Sequence, residues 1–572
     1  MRTATRPKSC CMTAARRSLQ ENAMPADRHS PRRAAKAALI SLVSLLLLSP
    51  GSGAAAVSAA QDAEPPRCDA SYETIVSDAM KRWPVPGLAL VVVDGDDARG
   101  EPSRCILPLG FRSIETREPV DAHTLFRMNS LTKAMTATAI ARRVDRGELR
   151  WTDPIRPHLP WFRLADPWVT QSLTFEDALS HRTDIEANDW LEDVDGVSLK
   201  QAIARLRYVP QEDGFRTRFK YDNFMFSVAG VAASEGRGGW RAFIRNELLD
   251  PLGMRDARAD LEQIVRPGTY AVCHECEPDF APPGLGAVQP GINVALPYIY
   301  RDGQLVLDHW RASVTEPAGG VFASAADIDR YLRFYVSGGV LDGNRLLSPA
   351  RMTDLVTPRI AMSRPFSPQP VPVNPALAAR TWEFEPQAYA LGWELTRYRG
   401  HTLVMHRGAS MNYQSMIVII PELHFAFAIM TNVEDGASGF AKALGHTLVD
   451  KRLKAGGGDW PPIDWIGQAI AARQPPRAPV PRITPALAPS KLKILVGRYR
   501  HPAYGDIDIV PGPGGTLLAS QGAQRVGVVT LESETGGSLA WRGPRNEPIP
   551  VRFDAVRGKR GLVLREQRFE RQ

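Results

Sequence analysis

The sequence predicts a mixed α/β chain of the α+β type, with a large first domain over residues 61–455, a proline-rich linker over 456–490 and a small all-β domain over 491–572. Three features carry this reading. From about residue 70 to 450, segments of helical period interleave with short apolar runs of strand character. Residues 461–490 then hold eight prolines in thirty, too many for a continuous helix or a central strand. Beyond Leu492, short runs alternate with Gly, Pro and Asp turns, the pattern of a β-barrel or sandwich. At 572 residues, 44% hydrophobic and 23% charged, the chain can bury a large core, and its composition excludes a collagen-like repeat or a wholly disordered polymer.

The first 60 residues stand apart. They carry nine Lys/Arg and two Asp/Glu, a net of +7, so the formal charge of +8 leaves only +1 for residues 61–572. A nearly neutral folded part removes the global argument for a nucleic-acid partner. Arg32, Arg33 and Lys36 precede an apolar run from Ala37 to Leu48, followed by Pro50 and the small-residue segment GSGAAAVSAA. This is the order of an export signal, too short for a stable transmembrane span, and it would act as an anchor only if left uncleaved. The expected destination is periplasmic or secreted.

After this leader, Tyr72 to Arg82 has helical spacing, WPVPGLALVVVDG is a buried strand entering a turn, and LPLGFRS is the next strand. Residues 130–149 hold good helix formers with apolar positions at Leu131, Met135, Ala139, Ile140 and Val144, which predicts a helix beginning at Ser130. NFMFSVAGVAASE, WRAFIRNELLDPLG and SAADIDRYLRFYVSGG read as further helices, the last ending in glycines suited to a C-cap. HTLVMHRG, YQSMIVIIPE and FAFAIMTN read as adjacent antiparallel strands that complete the first domain. In the tail, ILVGRYR, DIDIV, TLLAS, VGVVTLE, SLAWRG, VRFDAV and GLVLRE are the strand candidates.

Four cysteines follow the leader, Cys68, Cys105, Cys273 and Cys276. In an oxidising compartment they allow up to two disulfides: Cys68 with Cys105 would tie the N-terminal end to an early strand, and Cys273-His274-Glu275-Cys276 would close a small loop or hold a metal. One CxxC without a second pair is weak support for zinc, so neither a metal nor a cofactor is expected.

The strongest chemical signal is Ser130-Leu131-Thr132-Lys133. A serine at a helix start and a lysine one turn later lie on one face, close enough for proton transfer. A serine hydroxyl attacks poorly until a base takes its proton, and nearby backbone amides can hold the oxygen anion formed in acyl transfer. Lys133 serves as that base only when neutral, a state that burial favours. A random SxxK is expected about twice in 500 residues, so the motif gains weight only from its company. That company is Tyr221-Asp222-Asn223 before an apolar helix and His406-Arg407-Gly408 in a strand-like run.

Together the three segments resemble the serine beta-lactamase and penicillin-recognising superfamily, in the branch with class C-like enzymes, esterases and D-aminopeptidases. FRMNSLTK around the serine, LSHRTD at 179–184, PLGM at 251–254, PAGGVFASAADIDRY at 317–331 and LGW at 391–393 carry the likeness from about residue 70 to 450. The resemblance implies a beta-lactamase/transpeptidase-like catalytic domain and, for the tail, a small antiparallel β-barrel appendage. It also implies roles: Ser130 as acylated nucleophile, Lys133 as its proton partner, and Tyr221 as general base or proton shuttle. Asn223, His406 and Gly408 would hold substrate, and the backbone amides of Ser130 and Ala409 would form the oxyanion hole. Strand alternation puts His406 and Gly408 on one face and Arg407 on the other. His181 in LSHRTD matches a family loop histidine and reads as structural. The acidic segment 184–195 reads as surface.

His406 stands where beta-lactamases usually carry lysine, and a mostly neutral imidazole offers no permanent cation to a substrate carboxylate. The implied activity is therefore that of an exported esterase or D-aminopeptidase-like hydrolase acting on a small ester, amide or short peptide. A beta-lactamase or D,D-carboxypeptidase working on peptidoglycan-like substrates is the alternative. A noncatalytic cell-envelope binding protein, suggested by the β-rich tail, is a third reading that the complete Ser-Lys-Tyr set opposes.

Overall fold

The computed structural model describes residues 68–95, 103–185, 191, 197–211, 214–267, 269, 287–301, 304–362, 387–410, 412–434, 439–455, 457–458, 462–472, 489–512, 516–521, 525–531, 533, 535–541, 549–564 and 567–572. The leader, the Cys273–Cys276 pair and most of the acidic segment at 184–195 lie outside these residues.

The first domain is built on a nine-stranded sheet. Its strands are β1 Gly87–Asp94, β2 Ser103–Ser113, β3 Glu118–Pro119, β4 Ile360–Ala361, β5 Ala388–Tyr389, β6 Glu394–Tyr398, β7 His401–Ser410, β8 Tyr413–Ile420 and β9 Phe425–Thr431. They run in the order β4-β5-β6-β7-β8-β9-β1-β2-β3, every neighbouring pair antiparallel. The early and late parts of the chain meet where β1 pairs β9, from Leu88↔Thr431 to Asp94↔Phe425. The three late strands predicted as neighbours are β7, β8 and β9, paired in succession.

Both faces of the sheet are covered, which explains why its central strands read as unbroken apolar runs. Ala89, Val91 and Val93 of β1 enter one core, while Leu88, Leu90 and Val92 enter another. The second core is closed by α1 (Ala70–Arg82) and two C-terminal helices described below. The first lies under a helical region inserted between β3 and β4, with α2 (Leu131–Asp145), α3 (Asn223–Ser234) and α4 (Ala325–Val336) as its main members. Thirteen of the fifteen residues of α2 are buried, so this helix runs through the interior. The expected start at Ser130 holds, and Gly147 at φ 71 ends the helix in a left-handed turn. A Ser324–Asp327 capping box opens α4, and Gly338 and Gly339 at positive φ follow it.

Within the stretch read as linker, Trp465–Ala472 is helical (α6) and buries Trp465 and Ile466 against α5 (Gly439–Ala455). Of the later prolines, Pro475, Pro476, Pro479, Pro481 and Pro485 lie outside the described residues, and Pro489 opens a short helix, Pro489–Leu495. The tail is a closed antiparallel barrel of eight strands between Gly497 and Arg571, sealed by pairing of the first strand with the last at Tyr499↔Arg571. Seven strands match the sequence candidates. The eighth, Gln567–Arg571, carries three charged residues around a buried Phe569 and shows little strand signal by composition. First domain and barrel belong to one compact unit, touching where Arg205 Nη1 donates to the Ala503 carbonyl at 3.2 Å.

Cys68 and Cys105 form the expected disulfide, joining the residue just before the α1 cap to β2. Among the described residues no helix is long and apolar enough to cross a membrane.

Candidate active site

Ser130 occupies the N-cap position of α2, and the residue before it sets its direction. Asn129 has φ 49, a left-handed conformation that asparagine tolerates better than most residues. Its Nδ2 donates to the carbonyls of Ser410 (2.9 Å) and Tyr413 (3.1 Å), on either side of the β7–β8 turn. Ser415 Oγ of β8 donates to the Met128 carbonyl at 2.8 Å. The serine loop is thus fastened to the strand that holds Gly408 and Ala409. Gly408 makes that approach possible: a Cβ there would press into the Met128 carbonyl and Ser415 Oγ and come within 3.0 Å of Asn129 Cβ. The two amides assigned to an oxyanion hole, of Ser130 and Ala409, therefore lie on segments in direct contact.

Lys133 is fully buried, and its Nζ lies 3.1 Å from Ser130 Oγ, 2.7 Å from Asn223 Oδ1 and 3.2 Å from the Ala318 carbonyl. Nζ also sits 4.6 Å from the Tyr221 ring centroid and 5.7 Å from that of Phe226. The two oxygens of Asn223 and Ala318 can only accept, whereas the serine hydroxyl can accept or donate. The same arrangement thus accommodates an ammonium donating to the serine and an amine receiving its proton. Two of the motifs behind the likeness are explained here. The PAGG segment supplies the Ala318 carbonyl and, at Pro317, the acceptor of Thr136 Oγ1 at 2.8 Å. In LGW, Gly392 at φ 81 packs on the backbone of Lys133 and Ala134, where a Cβ would fall 2.8–2.9 Å from Ala134 Cα, Ala134 N and the Lys133 carbonyl.

Tyr221 and Asn223 arrive together because Asp222 caps α3, its Oδ1 accepting from Phe224 N at 2.7 Å. His406 is buried on the face of β7 turned towards α2, with its ring 6.4 Å from that of Tyr221. Its Nδ1 lies 2.8 Å from the Arg407 carbonyl, which cannot donate, so Nδ1 carries the proton. Nε2 then accepts from the Tyr389 hydroxyl at 3.0 Å. Burial, reinforced by the charge of Lys133, pushes His406 down to about 3, so it is neutral at ordinary pH. Arg407 projects the other way, towards Glu394, with Nε 3.8 Å from Oε2. The β6 pairing ends at Glu394↔Met405, so beyond Met405 the described strands pair β7 on its β8 side alone.

The fold thus brings Ser130, Lys133, Tyr221, Asn223, His406 and Gly408 into one place, with Ala409 next in line on β7. Composition and spacing leave Asn129 and Tyr389 unmarked, although both sit beside motifs that were noticed, Asn129 directly before the serine and Tyr389 two residues before LGW. The arrangement can take a proton from the Ser130 hydroxyl onto the buried Lys133, beside the half-buried Tyr221, and give it back.

Known proteins share this architecture. The family model described as Beta-lactamase matches residues 73–449. An unguisins hydrolase (ungD') of Aspergillus campestris is 27% identical over 468 residues, covering 77% of this chain and 78% of that protein. Penicillin-binding protein 4 of Amycolatopsis lactamdurans is 27% identical over 359 residues, covering 61% of this chain and 81% of its own length. The octameric penicillin-binding protein homologue of Pyrococcus abyssi shares the fold at a TM-score of 0.53 and 18% identity, over 88% of this chain and 99% of that one. With well over half of its length matched by that family model, the chain belongs to the beta-lactamase family of serine hydrolases.

Proposed function

We propose that this chain is an exported serine hydrolase that cleaves an ester or amide bond through an acyl-enzyme on Ser130, with esterase or D-aminopeptidase-like activity. The observation that carries the proposal is the 3.1 Å approach of a fully buried Lys133 Nζ to Ser130 Oγ, with the Tyr221 ring 4.6 Å from the same nitrogen. Ser130 Oγ attacks the substrate carbonyl while its proton passes to the Lys133–Tyr221 pair. The amides of Ser130 and Ala409 hold the tetrahedral oxyanion, and the proton returns to the leaving alcohol or amine as the intermediate collapses to the ester on Ser130. Water then repeats the sequence and releases the acid. Asn223, His406 and Gly408 border the space in which substrate lies.

Two features favour an ester or amide over a penicillin or a D,D-peptide acid. Both nitrogens of His406 are engaged and its ring is neutral, so it brings no positive charge to a substrate carboxylate. Export is supported by the order of residues in the leader and by the Cys68–Cys105 bond, a linkage that persists in oxidising compartments. The likeness to a penicillin-binding protein keeps beta-lactamase or D,D-carboxypeptidase activity as the second reading.

A fluorophosphonate probe followed by peptide mass mapping tests the acyl-enzyme. The adduct is expected on Ser130 in the wild type and absent from Ser130→Ala, with turnover lost in Lys133→Ala and Tyr221→Phe. A folded wild type without adduct on Ser130 would overturn the assignment. Short acyl esters, D-amino-acid amides, D-Ala-terminated peptides and a chromogenic beta-lactam, assayed side by side, separate the two readings.

A further inference from the structure

We infer that His181 is the positioning residue that sets Tyr221 against Lys133, gripping the tyrosine from both sides along the chain and across its ring. The inference rests on the Ser130–Lys133–Tyr221 reading above and adds to it a residue whose sequence signal is only that of a loop histidine.

Three contacts make the grip. The backbone carbonyl of His181 accepts from Lys220 N at 2.8 Å, and its side-chain Nδ1 accepts from Asp222 N at 3.0 Å. The residues before and after Tyr221 are thereby hooked to the same histidine. The imidazole then lies over the Tyr221 ring, with centroids 4.3 Å apart and planes 33° from parallel. With Nδ1 accepting, Nε2 carries the proton, yet Nε2 is buried without a hydrogen-bond partner among the rings of Tyr389 (4.7 Å) and Phe226 (4.9 Å). Burial and the charge of Lys133 hold the ring neutral.

His181 also stands at φ 57, in the left-handed region, although it is a fully buried residue with a Cβ. A strained backbone and an unmatched buried N–H are both unfavourable, and such features persist where the surroundings over-determine a geometry that matters. An apolar side chain would fill the space among the rings without the unmatched donor. Only a ring or amide with an acceptor in the Nδ1 position would also hold Asp222 N. The groups facing Tyr221 include Lys133 from α2, His406 from β7, Tyr389 from β5 and His181 itself. Displacing it from Lys133 removes the one cation among them and makes the phenolate harder to form.

The test compares His181→Asn, whose amide oxygen can take the Nδ1 position, with His181→Gln and His181→Ala, which cannot place an acceptor there. Each is assayed for hydrolysis of a short p-nitrophenyl ester over about pH 5–10 and for fluorophosphonate labelling of Ser130. His181→Ala and His181→Gln are expected to lose kcat by at least about tenfold with KM changed less than about twofold, and their acidic limb in kcat moves to higher pH. His181→Asn recovers most of the loss. A folded His181→Ala with wild-type kcat and an unmoved limb overturns the inference, as does an equal loss in the Asn and Gln variants. Should His181→Ala not fold, the Asn and Gln pair decides, and failure of all three to fold makes the role structural and also overturns it. An unlabelled, inactive wild type refutes the acyl-enzyme reading and this inference with it, whereas a labelled wild type with indifferent variants refutes this inference alone.

Discussion

Replacing Gly408 by alanine tests whether the close approach of β7 to the serine loop governs catalysis. The added Cβ would press into the Met128 carbonyl and Ser415 Oγ, with Asn129 Cβ at 3.0 Å. Carbon–oxygen contacts settle near 3.3–3.6 Å, so loop and strand must part by on the order of 1 Å. Two of the three neighbours are backbone or bonded to it, since Ser415 Oγ holds the Met128 carbonyl at 2.8 Å. The clash therefore passes into the segment carrying Ser130 N rather than into a free side chain. Overpacking of this kind costs about 1–3 kcal/mol of stability, and a displacement of this size costs on the order of a hundredfold in rate. Gly400→Ala is the matched control. Gly400 sits in the two-residue β6–β7 turn at φ 86 with open space where its Cβ would be, so alanine there costs about 1–2 kcal/mol through backbone strain alone. Urea unfolding and the rate of Ser130 labelling are measured on both variants. The expected result is a comparable loss of stability in both and a loss of labelling rate in Gly408→Ala only. Labelling rates within about threefold of each other would refute the reasoning.

Three further outcomes are expected. Tyr389→Phe leaves the buried Nε2 of His406 without its donor and should destabilise the protein by about 1–3 kcal/mol in urea melts. His406 titrates near 6.5 when unfolded and near 3 when folded, so between those values the unfolded chain binds the extra proton and stability falls as pH falls. By pH 4.5 this group alone should cost about 2–3 kcal/mol, and His406→Asn should flatten that part of the pH dependence of the urea midpoint. The Cys68–Cys105 bond closes a loop with a sequence separation of 37, and its loss in Cys105→Ser should cost about 2–4 kcal/mol, read as a lower thermal midpoint that reductant no longer changes.

Much of this molecule is legible in one dimension because its signals are local. Helix period around Met135 and Ile140, the glycines that end the helix after Val336, the continuous apolar run of β1 and the turn-bounded runs of the tail each depend on neighbours a few residues away. The helix at Trp465–Ala472 was hidden by the prolines flanking it, and the last barrel strand by its charges, since both are held by packing against distant elements. Ser130 and Lys133 are one helical turn apart and could be paired from spacing alone, whereas Tyr221 and His406 joined them only through likeness to a family.

The chain alone therefore determined which residue types were available, where the helices and strands with local signals begin, and that Ser130 and Lys133 share a helix face. Tertiary structure decided what surrounds them: that Lys133 meets Asn223 and the Ala318 carbonyl, that Asn129 bolts the serine loop to β7 and β8, that Tyr389 occupies His406, and that His181 lies on Tyr221. The physical reason is one of range. Spacing along a helix is set by backbone geometry within a turn, but the protonation and aim of a buried side chain depend on which dipoles and charges folding places within a few ångströms of it, and those come from other segments, from 17 to 284 residues away in the chain.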